Sequence, residues 1–309
     1  MNGLDTTPLK RFHFTSLPRF HWLMAFSGIA VLLISIIGCR LTAIDVPEIE
    51  AVAIGCVILI ILFLLLPLYW HEKGRMDLRD SALTLPWSVY FKVTLPCTIG
   101  IAGRLGKGIP LQDEFLACLD HLFGFNVPAI AAFAANHWLG RLINGAYPLL
   151  TPLLCVAIFV PALTGKVRNA QQFLTSNLIA FLLVAPMYGL LPAIGPWFGY
   201  HLEPNASQMF IQQSVLDLRN SGRYILQVYG VICFPSFHVI WAILCVNALW
   251  CFNFLRIPLV LLSGLIILST ITGGWHYFVD VLAGVLVASV AVALSRALCR
   301  WHTPQSLPH

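Results

Sequence analysis

Residues 257–299 read IPLVLLSGLIILSTITGGWHYFVDVLAGVLVASVAVALSRALC. Two apolar runs, 257–275 and 277–299, each approach the ~20 residues that a helix needs to cross a bilayer. His276 stands between them and Asp280 follows four residues later. On a helix that spacing puts both side chains on one face, within hydrogen-bonding reach. An ionisable pair is costly to hold near lipid, so a functional role is its default reading. Upstream, Pro235-Ser236-Phe237-His238 opens another apolar run after a proline turn.

The rest of the chain is of the same kind. It has 309 residues, 59% hydrophobic and 10% charged, against roughly 25% charged in soluble domains. We read an all-α polytopic membrane bundle of about eight spans: 20–44, 50–70, 82–103, 142–164, 170–194, 236–254, 257–275 and 277–299. The third is interrupted by Pro86 and Pro96 and carries Lys92, which also suits a re-entrant or interfacial segment. The first is too long and too poorly flanked for a cleavable signal peptide. The organisation expected is a tail with two extra transmembrane helices over 1–81, a membrane-embedded core over 82–302 and a short tail over 303–309.

Basic residues orient the spans. Lys10, Arg11, Arg19, Lys73, Arg75, Arg79, Lys166, Arg168, Arg256, Arg296 and Arg300 fall on one side, eleven in all. Arg40, Arg104, Lys107, Arg141, Arg219 and Arg223, six residues, fall on the other. The bias places both termini in the cytoplasm and puts His238 and His276 on the same non-cytoplasmic face. It also accounts for most of the +5 net charge without a nucleic-acid partner. Nine scattered cysteines show no metal-ligand spacing. Cys118 and Cys233 share the non-cytoplasmic side, which permits a disulfide. Two long loops, 104–141 and 195–235, lie on that side too and are expected to roof the site. The first mixes polar and apolar residues, as a partly interfacial helix does.

Two histidines and an aspartate permit a division of labour. One imidazole attacks while a carboxylate holds its tautomer, and the other protonates the leaving group. Asp280 is spaced to orient His276, which leaves His238 as the acid. A negatively charged electrophile needs donors as well. Ser236, Arg219 and Arg223 are the candidates for that substrate-binding role, with amides at the start of a helix. The chemistry needs no metal and no cofactor.

Pro235-Ser236-x-His238 followed by His276-Tyr277-x-x-Asp280-Val281-x-Ala283-Gly284 resembles the type 2 phosphatidate phosphatase superfamily, which shares a six-helix core with vanadium haloperoxidases. The resemblance implies a phosphohistidine intermediate, with His276 as nucleophile, Asp280 as its partner, His238 as acid and Ser236 as a phosphate contact. The departures are specific. Phe237 stands where the phosphatases carry glycine, and Ser269-Thr270 stands where they carry Ser-Arg. Their Lys…Arg-Pro motif is replaced by Leu191-Pro192-Ala193-Ile194-Gly195-Pro196-Trp197. Pro-Ser-bulky-His, the string ending in Pro-Trp, His276-Tyr277-Phe278-Val279-Asp280, Asp120-His121-Leu122-Phe123-Gly124 and Tyr147 resemble instead the inositol phosphorylceramide synthase branch. That likeness implies transfer of a phospho-headgroup from a phospholipid to a lipid alcohol.

Each residue also has a plainer reading. His276 with Asp280 could lock two helices together, Ser236 could be a helix cap, and Arg219 and Arg223 could be solvated or touch headgroups. Asp120, His121, His137, Asn144 and Tyr147 read as interface polar residues, and Lys92 as a snorkelling cation. Trp22, Trp70, Trp138, Trp197 and Trp275 read as an aromatic belt. The competing functions are a lipid phosphate phosphatase, acting on a phosphatidate- or prenyl-phosphate-type substrate with water as acceptor, and a non-catalytic transporter or scaffold on the same fold.

Overall fold

A computed structural model describes residues 19–45, 76–223 and 231–300. The candidate span at 50–70, the first eighteen residues and the 303–309 tail lie outside them. The described chain is helical: α1 (Arg19–Thr42), α2 (Met76–Leu105), α3 (Asp113–Leu122), α4 (Val127–Asn136), α5 (Trp138–Asn144), α6 (Leu150–Leu163), α7 (Val167–Leu190), α8 (Ala206–Asn220), α9 (Phe237–Leu249), α10 (Arg256–Thr272) and α11 (Phe278–Arg300). One further turn, Pro196–Gly199, precedes α8.

Among the described residues, five stretches are long and apolar enough to cross a membrane: Phe20–Thr42, Trp138–Leu163, Val167–Leu190, Asn253–Thr272 and Phe278–Leu298. They match five of the expected runs, with ends set by local chemistry. α7 stops at Leu190, before Pro192 and the extended 191–195 segment. α10 stops at Thr272, where Gly273-Gly274 turns the chain and Gly274 takes φ 68°. A non-glycine residue rarely adopts that left-handed conformation.

Three stretches differ from expectation. The interrupted third span is one continuous helix, α2, running through both prolines. Hydroxyls near them supply local bonds, Ser88 Oγ to the Leu85 carbonyl at 2.6 Å and Thr98 Oγ1 to the Leu95 carbonyl at 2.6 Å. α2 is also pinned from outside, as Tyr90 donates to the Gly28 carbonyl of α1 at 2.8 Å. The 236–254 run is helical only over thirteen residues, a rise of about 20 Å at 1.5 Å per residue, short of a ~30 Å hydrocarbon core. Of the expected residues, Ser236 caps the start of the helix, and 250–254 leave it for a turn and the short helix Asn253–Leu255. The 104–141 loop folds as two helices, α3 and α4, bent by 82° at Gly124, which has φ 77°.

α7 is the central post, packing against α2, α6, α9 and α11. Several polar side chains inside this apolar body are paired across helices, while the buried Tyr188 hydroxyl and Gln172 Nε2 have no hydrogen-bond partner among the described residues. Ser176 bonds Ser295 at 2.7 Å, and Trp241 Nε1 donates to Asn177 at 2.8 Å. Lys166 donates to the Cys251 carbonyl at 2.8 Å and lies over the Phe252 ring.

Candidate active site

Two loops carry the candidate residues. One, 231–236, leads into α9, and Ser236 caps that helix by accepting from the Val239 amide. The other, 273–277, closes α10, with the Trp275 and His276 amides both returning to the Thr270 carbonyl. A backbone bond from the Ser236 amide to the Asp280 carbonyl, 3.1 Å, ties the two together. Gly284 lets α11 come this close, because a Cβ there would lie 2.8 Å from the Ser236 carbonyl oxygen. The glycine of the His-Tyr-x-x-Asp-Val-x-Ala-Gly string is therefore explained by backbone approach.

His276 and Asp280 are buried, and Nδ1 lies 3.3 Å from Asp280 Oδ2. The same Nδ1 lies 3.0 Å from the Cys233 carbonyl. A carbonyl only accepts, so Nδ1 carries a proton and Nε2 keeps the lone pair. Asp280 Oδ2 also accepts from the Tyr277 amide at 2.9 Å and from the Cys233 thiol at 3.1 Å, while its Oδ1 is buried with no hydrogen-bond partner among the described residues. Burial, reinforced by Asp280, pushes the Cys233 thiol well above its ordinary range, so it stays a neutral donor.

His238 sits 5.9 Å from His276, ring centre to ring centre. Tyr147 stacks on it at 4.2 Å and 23°, with the phenol oxygen 3.4 Å from His238 Nδ1. Tyr147 stacks in turn on Trp275. The structure thus gathers His238, His276, Asp280, Ser236 and Tyr147 into one region.

The arginines are placed differently. Arg219 is buried on α8 and its guanidinium donates to the carbonyls of Gly106, Lys107 and Ile109. Burial lowers its proton affinity, and those carbonyls are what hold the charge in place. Arg223 is exposed, on a backbone segment bridged to Asp45. Phe237 points into the core against Phe181 and Trp241, ring centres 4.4 and 5.0 Å away. Its departure from glycine is therefore a packing feature. Cys118 and Cys233 are free thiols, so the permitted disulfide is not formed. Asn144 accepts from Thr272 at 2.6 Å, which joins α5 to α10.

Sequence reading missed a frame behind the two loops. Asp113 and Asp120 lie seven residues apart on α3 and are both buried. Asp120 accepts from the Phe278 and Val279 amides at 2.9 and 3.0 Å, capping α11. Asp113 accepts from the Ile194 and Gly195 amides at 3.0 and 2.8 Å and lies 3.1 Å from the Tyr277 hydroxyl. That hydroxyl also faces the Gly195 carbonyl at 2.9 Å. The two-turn spacing of the carboxylates was the available signal, since it puts both on one face of a helix.

Cys233, His276 and Asp280 each offer a ligand-type atom within 4.8 Å of the others. A metal there would have to displace the Nδ1 proton that the Cys233 carbonyl holds, so the trio reads as a hydrogen-bond cluster. A cavity of about 700 Å³ opens at the end of α10, lined in part by Asn144, Trp197, Gln208, Thr272, Gly273 and Gly274 and by none of Cys233, His238, His276 and Asp280.

A buried imidazole hydrogen-bonded at Nδ1 and a second imidazole close by thus lie together inside an apolar helical bundle. The model of the PAP2 superfamily matches residues 114–294, and the chain belongs to that superfamily. The match supports a phosphatase- or phosphotransferase-type activity on lipid phosphates and agrees with an integral membrane protein. No curated protein and no solved structure matches the chain.

Proposed function

We propose that the protein is a lipid phosphotransferase that moves a phospho-headgroup from a phospholipid to a lipid alcohol through a phosphohistidine. The observation that carries this reading is the geometry of His276. Its Nδ1 is spent on the Cys233 carbonyl and Asp280, which leaves Nε2 as a nucleophile 5.9 Å, by ring centres, from a second imidazole. Nε2 attacks phosphorus, an N–P bond forms and the P–O bond to the departing alcohol breaks. His238 gives that alcohol its proton. The acceptor hydroxyl then yields a proton to His238, its oxygen attacks phosphorus, and the N–P bond breaks. Ser236 and Arg223 are assigned to the substrate phosphate. Arg219, with its guanidinium on three carbonyls, braces α8 against the 106–109 turn instead.

Charge supports transfer over hydrolysis of a monoester. The two motifs in which the phosphatases carry cations hold uncharged residues here, and Asp113, Asp120 and Asp280 are buried around the His276 loop. A phosphodiester brings one negative charge and a monoester close to two, so such a site tolerates the diester better. The neighbouring cavity has Glu203 as its one charged lining residue, which suits an uncharged headgroup or acceptor. The basic-residue bias supports a site on the non-cytoplasmic face with both termini cytoplasmic. α9 is short of a full span, so His238 lies recessed and lipid would enter from the side.

The test uses the purified full chain in mixed micelles with fluorescent phosphatidylinositol and ceramide, and separately with fluorescent phosphatidate. The phosphoinositol ester of ceramide should form from the diester, and both that product and a trapped phosphoenzyme should vanish in His276→Ala. Arg223→Ala should raise KM for the diester. Faster release of phosphate from phosphatidate than transfer from the diester would overturn the transferase reading in favour of a phosphatase.

A further inference from the structure

The carboxylate of Asp280 is held unevenly. Three donors converge on Oδ2, namely the His276 Nδ1–H, the Tyr277 amide and the Cys233 thiol, while Oδ1 is buried with no hydrogen-bond partner among the described residues. Rotation of that carboxylate about its last bond is resisted only through Oδ2. The amide is part of the His276 loop and moves with it. The thiol comes from the other loop, 43 residues earlier than His276 in the chain, where the Cys233 carbonyl also receives Nδ1–H. Cys233 therefore touches both members of the pair, with its backbone on the histidine and its side chain on the aspartate.

We infer that Cys233 is a positioning residue for the transfer reaction, its S–H pinning Asp280 so that Nδ1 stays directed at a carbonyl and a carboxylate together. This inference rests on the phosphohistidine reading for its kinetic consequence, and not for its structural one. The thiol is buried, and burial pushes it well above its ordinary range, so it is held as a neutral donor. Its neighbours Leu116, Ala117, Ala193, Tyr277 and Val279 form a small apolar cluster that excludes water as a substitute donor. A charged acceptor that loses one of its buried donors loses one of the stronger kinds of hydrogen bond.

Two variants separate the hydrogen bond from packing. Cys233→Ala and Cys233→Ser leave nearly the same volume, and only serine keeps a donor. With fluorescent phosphatidylinositol and ceramide, Cys233→Ala should lose about tenfold in kcat with KM within about twofold, and Cys233→Ser should recover most of that loss. Proton-detected NMR of the histidine-labelled full chain gives an independent readout. The Nδ1–H resonance of His276, identified by its loss in His276→Gln, should shift in Cys233→Ala and return towards its original position in Cys233→Ser. Equal turnover and an unmoved resonance in both variants would overturn the inference. A resonance that moves as expected, in a wild-type protein that forms no phosphoenzyme, would support the positioning role and overturn the phosphohistidine reading.

Discussion

His276 is held edge-on by a carbonyl and a carboxylate, whereas His238 lies face to face with Tyr147 at a ring separation of 4.2 Å. Behind the first stands a frame of hydrogen bonds reaching through Tyr277 to Asp113 and through the start of α11 to Asp120. Beside the second are aromatic surfaces. Hydrogen bonds fix which nitrogen carries a proton, and ring stacking fixes orientation. The difference matches a nucleophile that must keep one tautomer and an acid that must change protonation state twice per cycle.

The sharpest way to break that comparison is to remove each ring and vary the leaving group. His276→Ala should abolish turnover and phosphoenzyme whatever the leaving group. His238→Ala should lose about 10²–10⁴-fold with an alcohol leaving group, the usual range for a positioned acid, and far less with a nitrophenol, which departs without a proton. Steady-state assays with a lipid diester and its nitrophenyl analogue measure both. Equal losses on the two substrates in His238→Ala would mean that His238 is not the acid.

The frame on α3 gives the next effect. Asp120→Asn keeps one acceptor and turns an NH₂ towards the other amide, so the cap on α11 is half lost. Asp113→Asn does the same between the 191–195 segment and Tyr277. Each should cut kcat about ten- to a hundredfold and lower Tm by several degrees, consistent with unmaking one or two buried bonds to a charge. The double variant should lose less than the product of the single losses, because both carboxylates act on the same loop. Thermal melts beside rate measurements check this, and fully multiplicative losses would show that the two carboxylates act separately.

How much of this was legible in the sequence follows from the range of each contact. The bundle was legible because apolar runs declare themselves within about twenty residues, and the ends that moved did so at Pro192 and Gly273-Gly274. His238, Ser236, His276 and Asp280 were legible because polar residues stand out against lipid-compatible neighbours. Asp113 and Cys233 were not. Asp113 meets Gly195 and Tyr277 at separations of 82 and 164 residues, and Cys233 looked like one of several small hydrophobes. Arg219 looked like a free cation because only the fold shows the carbonyls of 106–109 beneath it. Phe237 looked like a specificity change, yet its ring fills a space beside Phe181 and Trp241 that no local pattern announces.

The smallest effect probes the stacked side of the comparison. An aromatic face attracts a cation, with a strength of about 0.5–1 kcal/mol where water is near and more where it is excluded. Tyr147 presents its ring to His238 and is itself backed by Trp275 at 5.3 Å. Replacing it with phenylalanine keeps the face and removes the hydroxyl, whose 3.4 Å approach to Nδ1 is long for a hydrogen bond. Replacing it with leucine removes the face. Tyr147→Phe should stay within about twofold of wild type, and Tyr147→Leu should slow release of an alcohol about three- to tenfold while sparing a nitrophenol. A large loss in the phenylalanine variant would mean that the hydroxyl, not the ring, governs His238, and that both histidines are held by hydrogen bonds after all.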